Sequence, residues 1–213
     1  MTHPLLTDLG RAGVVAVLRA PDVDSALAAV DALARGGITA IEVTYSTPDV
    51  ATVLSTIRAR FGDALVLGAG TLTTPAQVAE AHEAGARFLV SPGFDTEVAA
   101  AMTATGCLTM VGGFTPTEVQ RLARTSVDVV KLFPGSVGGP ALLRALRAPF
   151  PDLVYVPTGG VDEHNLGDWL AAGALAVGAG GELVPRDALL RGDVEDITAR
   201  ARRFVQALER ARA

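Results

Sequence analysis

LVLGAGTLTTPAQVAEAHEAGARFLVSPG, residues 65–93, holds one complete unit of a repeat that runs along the chain. It opens on an apolar run, Leu65–Thr71, of the kind that forms a parallel strand covered on both faces. Thr74 then offers a hydroxyl N-cap, Pro75 suits the first helical position, and Gln77 stands at capping-box spacing. Gly85 stops the helix, since a left-handed residue costs glycine little. A second apolar run, Phe88–Gly93, follows at once.

The same unit recurs in both directions. Strands are expected at Val14–Arg19, Ala40–Ser46, Leu65–Thr71, Phe88–Gly93, Cys107–Gly113, Val127–Pro134, Leu153–Gly160 and Leu175–Gly181. Thr47-Pro48 and Thr115-Pro116 repeat the capped helix start, the latter with Glu118 in box position. Val23, Ala26, Leu27, Val30 and Leu33 line one helical face, and Gly36, Gly62, Gly106 and Gly173 supply further stops. No Pro/Gly-rich linker divides the series. The reading is an α/β chain forming a single-domain (β/α)8 TIM barrel over residues 1–213, with residues 1–13 a short N-terminal cap segment. It would be compact for a fold that usually takes about 250 residues. An open doubly wound sheet is the competing architecture, but no Gly-x-Gly-x-x-Gly motif follows the first strand.

Composition narrows the function classes. Half the chain is hydrophobic (49%), which excludes disorder, and a net charge of −5 argues against a nucleic-acid partner. Arg200, Arg202, Arg203 and Arg210 alternate with apolar residues and read as a solvated helix face. The single cysteine, Cys107, cannot form an internal disulfide and is expected buried in a strand. The N-terminus lacks a charged-then-apolar signal pattern, and no apolar run reaches the ~20 residues of a membrane span. A cytoplasmic protein that engages no membrane is expected.

Of the 18 basic residues, only Lys131 is a lysine. It interrupts the otherwise apolar run Val129-Val130-Lys131-Leu132-Phe133. Alternation puts Val129, Lys131 and Phe133 on one face of the strand. If that face points into the barrel, an amine is desolvated there, and desolvation favours the neutral form that attacks carbonyls. Arginine stays protonated and cannot do this. The plainer alternative is a lysine snorkelling to solvent from the strand end. Glu42, within Ala40-Ile41-Glu42-Val43-Thr44, is a second charged interruption. It could carry protons for carbinolamine formation, dehydration and C–C cleavage, or serve as an ion-pair partner of Lys131 or Arg19.

Arg19 and Thr71 end the first and third expected strands, at the carboxyl rim where barrel active sites lie. Arg19 could hold an anionic group and Thr71 could hydrogen-bond a keto acid; each could equally satisfy nearby backbone. Two late turns, Pro157-Thr158-Gly159-Gly160 and Gly178-Ala179-Gly180-Gly181, are rich in glycine. Beyond strands seven and eight, such turns let backbone N–H groups approach phosphate closely. Gly159, Gly160, Gly180 and Gly181 are therefore expected to bind phosphate. His3, placed in the N-terminal tail, His82, on the third helix of the repeat, and His164, at the start of the seventh, share no metal-ligand spacing. No metal and no cofactor are expected, and no Ser-His-acid constellation can be identified.

Together, Glu42-Val43-Thr44, Gly68-Ala69-Gly70-Thr71, Ser91-Pro92-Gly93, Val130-Lys131-Leu132-Phe133-Pro134 and Pro157-Thr158-Gly159-Gly160 resemble the class I 2-keto-3-deoxy-6-phosphogluconate aldolase family. That family includes 4-hydroxy-2-oxoglutarate aldolases, and the resemblance extends over nearly the whole chain. It implies a lyase of carbohydrate metabolism that reversibly releases pyruvate through a Schiff base on Lys131. Glu42 would be the general acid/base, and Arg19 and Thr71 would bind substrate. Pro92 and Phe133 would shape the pocket, and Gly159 and Gly160 would belong to the phosphate-binding backbone. It also implies a homotrimer.

Two positions depart from the family pattern. Ser46 stands where the gluconate enzymes often carry an arginine that helps bind the keto-acid carboxylate. Gly181 stands where a phosphate-site serine is expected. Ser46-Thr47-Pro48 resembles the galactonate-type branch. The expected reaction is cleavage of 2-keto-3-deoxy-6-phosphogluconate, or a close phospho-sugar acid, to pyruvate and glyceraldehyde 3-phosphate, with 2-keto-3-deoxy-6-phosphogalactonate cleavage as an alternative. Cleavage of 4-hydroxy-2-oxoglutarate is the nearest alternative; a sugar-phosphate isomerase or epimerase and a non-catalytic phosphosugar sensor are the alternatives of other classes.

Overall fold

The computed structural model describes residues 3–213. Eight parallel strands alternate with helices: β1 Val14–Leu18, β2 Ala40–Thr44, β3 Val66–Gly70, β4 Phe88–Val90, β5 Leu108–Gly113, β6 Val129–Leu132, β7 Tyr155–Pro157 and β8 Val177–Ala179. The helices are α1 Leu5–Ala12, α2 Val23–Arg35, α3 Val50–Phe61, α4 Pro75–Glu83 and α5 Thr96–Ala104. They continue with α6 Pro116–Leu122, α7 Gly139–Arg147, α8 Leu166–Ala171, α9 Arg186–Arg191 and α10 Val194–Arg212. The sheet runs in order from β8 through β1 and onward to β7. A Thr158–Gly178 bridge and a 2.9 Å bond from Leu175 N–H to the Tyr155 carbonyl close the gap between β7 and β8. The result is a TIM barrel.

Strand alternation sorts the core into two parts. Val14, Ala16, Leu18, Ile41, Val43, Leu67, Ala69, Leu89, Val111, Val130 and Leu132 face outward into the layer beneath the helices. Val15, Ala40, Val66, Phe88, Val90, Leu108, Met110, Val129 and Val156 fill the barrel, and Leu5, Leu6 and Leu9 of α1 join them. The lumen is thus packed at this end with apolar side chains, and polar side chains are confined to its other end.

The expected strands are all present, and all but the fifth, which ends at Gly113 as expected, end earlier than the sequence suggests. Arg19, Ser46, Thr71, Gly93, Phe133, Gly160 and Gly181 lie past the last paired residue, on the carboxyl rim. Apolar and extended character continues beyond the ladder, and sequence pattern does not register where pairing stops. The caps at Thr74 and Thr115 form as expected, each as a full capping box. Thr47-Pro48 does not start a helix: α3 begins after Asp49, and the Thr47 hydroxyl instead accepts from Ala20 N–H at 3.1 Å. Gly36 is not left-handed; that conformation falls to Gly37, with φ +93°, while a Cβ on Gly36 would collide with Ala201 of α10. Cys107 lies just before β5 and is half-buried rather than inside a strand. His164 sits in the turn before α8, not in the helix. On α10, Arg200 pairs with Asp196 and Arg203 with Glu163, as a solvated face would. No described helix is long and apolar enough to cross a membrane.

Candidate active site

Lys131 points into the barrel because its neighbours Val130 and Leu132 take the outward side of β6. It is 3% exposed, and Glu42, inward on β2, is 1% exposed. Their side chains meet inside the lumen, Lys131 Nζ standing 3.7 Å from Glu42 Oε2. That separation is longer than a hydrogen bond, and Glu42 Oε1 is buried without any hydrogen-bond partner. Burying two ionisable groups costs several kcal/mol each, so this pair is poor value as mere scaffolding. A buried oxygen left without a partner calls for one, and a substrate bound beside Lys131 could supply it.

Glycine makes the room. Gly112 pairs in register with Lys131, and a Cβ there would collide with the Pro92 carbonyl. Gly70, opposite Thr44 on β2, lies under the Glu42 carboxylate, which a Cβ would displace. Gly68, opposite Glu42, gives its space to the Phe88 ring. The Phe133 ring, two residues past Lys131, lies 5.6 Å from Nζ and walls one side of the amine. Half-buried Thr71 follows Gly70 directly at the rim, and half-buried Pro92 covers β5.

Two cavities open on this rim. One, of ≈ 240 Å³, is bounded by Phe133, Gly159, Gly160, Gly180 and Gly181, with Arg19. Gly159 (φ +96°) and Gly160 (φ +70°) adopt left-handed backbone there, a conformation other residues resist. The second, of ≈ 380 Å³, adjoins Arg19, Ser46, Gly181, Val184 and Arg186. Val17, Arg19 and Gly181 border both. Ser46 faces this mouth because Tyr45 turns the other way, its hydroxyl donating to the Gln77 carbonyl at 2.9 Å. Burial first, and nearby Glu80 second, push the Tyr45 phenol well above its usual range, so it stays protonated as an anchor. The Ser46 and Thr44 hydroxyls lie 2.7 Å apart, and Thr44 donates to the Leu18 carbonyl.

The sequence-predicted residues therefore converge on one end of the barrel: Lys131 and Glu42 in the lumen, Arg19, Thr71, Pro92 and Phe133 around it, and the four glycines at the rim. Sequence reasoning missed Val17, which lines both cavities, and Arg186, which gave no signal among so many arginines. It also separated His3, His82 and Cys107, which the fold gathers around one cavity remote from the lysine. His82 Nδ1 lies 3.3 Å from Cys107 Sγ there. Among the described residues no three metal-ligating side chains form a cluster.

Chemically, the arrangement offers a desolvated primary amine, a carboxylate one small group away, and a polar mouth bearing arginine. That set can form an imine with a keto group and move protons around it.

Comparison with known proteins agrees. The family described as KDPG and KHG aldolase matches residues 6–200. The 2-dehydro-3-deoxy-phosphogluconate aldolase of Treponema pallidum is 36% identical over 93% of this chain and 94% of its own length. The KHG/KDPG aldolase of Escherichia coli is 35% identical over 91% of each chain. The solved structure of KDPG aldolase from Legionella pneumophila, holding pyruvate as a covalent carbinolamine intermediate, superposes with a TM-score of 0.84. That structure is 30% identical, and the match covers 91% of this chain and 96% of that one.

Proposed function

The chain belongs to the KDPG and KHG aldolase family, and from that premise we propose that it is a class I aldolase cleaving 2-keto-3-deoxy-6-phosphogluconate, or a close phospho-sugar acid, to pyruvate and glyceraldehyde 3-phosphate. The observation that carries this reading is the sole lysine of the chain, 3% exposed and 3.7 Å from the Glu42 carboxylate.

Lys131 Nζ attacks the C2 carbonyl and forms a carbinolamine. Glu42 delivers the proton with which the hydroxyl leaves as water, giving the protonated imine. Glu42, again a base, takes the C4 hydroxyl proton; the C3–C4 bond breaks and its electrons flow into the iminium. The aldehyde departs, and the enamine left on Lys131 is protonated at C3. Water then hydrolyses the imine and frees pyruvate. Thr71 and Arg19 bind substrate, Pro92 and Phe133 shape the pocket, and Gly159, Gly160, Gly180 and Gly181 present backbone to the phosphate.

Cleavage of unphosphorylated 4-hydroxy-2-oxoglutarate is favoured as a second reading by Gly181, which stands where a phosphate-site serine is expected. We further propose a single barrel domain with its N-terminal segment, up to residue 13, as a short cap (residues 1 and 2 lying outside the described residues), and a cytoplasmic homotrimer without membrane or nucleic-acid partners. Pyruvate release, followed by coupled reduction to lactate, tests the function. Robust turnover of the 6-phospho acids that disappears in Lys131→Arg is expected; a fully active Lys131→Arg enzyme would overturn the imine mechanism, because arginine cannot form the intermediate. Faster turnover of 4-hydroxy-2-oxoglutarate would select the second reading.

A further inference from the structure

Arg186 begins α9, directly after the loop that follows β8, and is exposed. It shares the ≈ 380 Å³ cavity with Arg19, Ser46 and Gly181. Neither Arg19 nor Arg186 takes part in any of the ion pairs among the described residues. The acids beside them are committed elsewhere. Asp187 holds Arg191 at 2.8 Å, and Asp22 caps α2 by accepting from Ser25 N–H at 2.7 Å. Two guanidinium groups therefore face one cavity with their charges uncompensated. Glu182 borders the adjoining glycine-lined cavity and pairs with neither.

Gly181 separates the two cavities, and nothing in the backbone or packing requires glycine there. Its φ lies outside the left-handed region, and a Cβ on it would meet nothing within 4 Å. The missing side chain leaves the passage between Arg186 and the glycine-lined cavity open. Arg19 borders both sides of that passage and lies close against Gly180.

We infer that Arg186 is a specificity-determining residue that reaches across Gly181 and, with Arg19, clamps the terminal phosphate of the substrate. The inference rests on the aldolase reading. It assigns Arg186 to the phosphate and not to the keto-acid carboxylate for a covalent reason. C2 must bond to Lys131 Nζ in the buried lumen, so the adjacent C1 carboxylate stays deep with it. The phosphate, at the far end of the substrate chain, is the anionic group that extends furthest towards the exposed rim where Arg186 stands. Guanidinium suits this task because its planar fork meets phosphate oxygens in pairs. A second cation also offsets the Glu182 carboxylate, which opposes an anion in the neighbouring cavity.

The test compares wild type with Arg186→Lys, Arg186→Ala and Arg186→Glu on a 6-phospho-2-keto-3-deoxy acid and on 4-hydroxy-2-oxoglutarate. KM for the phosphorylated substrate should rise in that order of substitution, by roughly tenfold in Arg186→Ala, the effect of one charge-assisted hydrogen bond. KM for the unphosphorylated acid should move far less, and kcat should change little on either. The wild-type preference should also shrink as salt is added. An unchanged KM in Arg186→Ala, or an equal rise on both substrates, would overturn the inference. Borohydride reduction with pyruvate, which has no phosphate, keeps the two levels distinct. Trapping that succeeds while KM is unmoved sinks only the role of Arg186; trapping that fails in wild type sinks the aldolase reading and this inference with it.

Discussion

Lys131 on β6 and Glu42 on β2 meet across the barrel lumen with Nζ and Oε2 3.7 Å apart, and neither is more than 3% exposed. They are too far apart to bond to each other and close enough that one hydroxyl or water oxygen could touch both. A carbinolamine places its hydroxyl in such a position. The pair is therefore arranged for proton transfer to a third group rather than for a bridge of its own.

Glu42→Gln keeps the size of the side chain and removes its proton-carrying capacity. It should lower kcat by about 10²–10⁴-fold. Steady-state turnover checks the size of the effect, and single-turnover trapping shows whether imine formation slows with it. Wild-type kcat would remove Glu42 from the chemistry.

Gly70→Ala tests the geometry by steric means alone. The new methyl would collide with the Glu42 carboxylate and drive it from its place beside Lys131. Misplacement on the ångström scale costs about 10²-fold in rate. Circular dichroism should stay native while kcat falls by that order; an active Gly70→Ala enzyme would show that the position of Glu42 is not critical.

Arg19 is exposed and joins none of the ion pairs among the described residues, so its removal should leave the fold intact. Arg19→Ala is expected to change unfolding free energy by no more than about 0.5 kcal/mol. It should raise KM for the phosphorylated substrate by roughly tenfold or more. Urea denaturation and substrate titration together check this, and a large loss of stability would assign Arg19 to structure instead.

Much of this is legible in the amino-acid sequence. The eight strands announce themselves because a parallel strand covered on both faces must be apolar throughout, and Lys131 and Glu42 stand out as charges that such strands should not contain. The rim was harder. Arg186 comes within one cavity of Arg19 only after β8 has closed against β1, and nothing local distinguishes it from the solvated arginines of α10. Thr47-Pro48 carried the same helix-start signal as Thr74-Pro75, yet its hydroxyl was recruited by the backbone of Ala20 on the neighbouring loop. Tertiary partners decided between two locally equivalent uses.

The capping box of α6 gives a pH-dependent signature in the scaffold. Glu118 is held below its ordinary value of 4.5, first by the backbone N–H of Thr115 and then by its hydroxyl. A carboxyl with a depressed folded-state value stabilises the fold above its unfolded value, and that contribution is lost as pH falls below about 4.5 and through the folded value. Urea midpoints at pH 7 and pH 3 should therefore differ less in Glu118→Gln than in wild type. Thr115→Ala should cost about 1 kcal/mol at pH 7. An unaltered pH response in Glu118→Gln would mean that the Glu118 charge contributes nothing to the fold, since glutamine can close the box as Gln77 does in α4.

The most direct measurement is borohydride reduction in the presence of pyruvate, followed by intact and peptide mass spectrometry, with a control lacking pyruvate. A single reduced pyruvyl adduct, located on Lys131 and absent from the control, is the predicted result. Folded protein that yields no adduct would contradict the imine mechanism, however well the residues around Lys131 are placed.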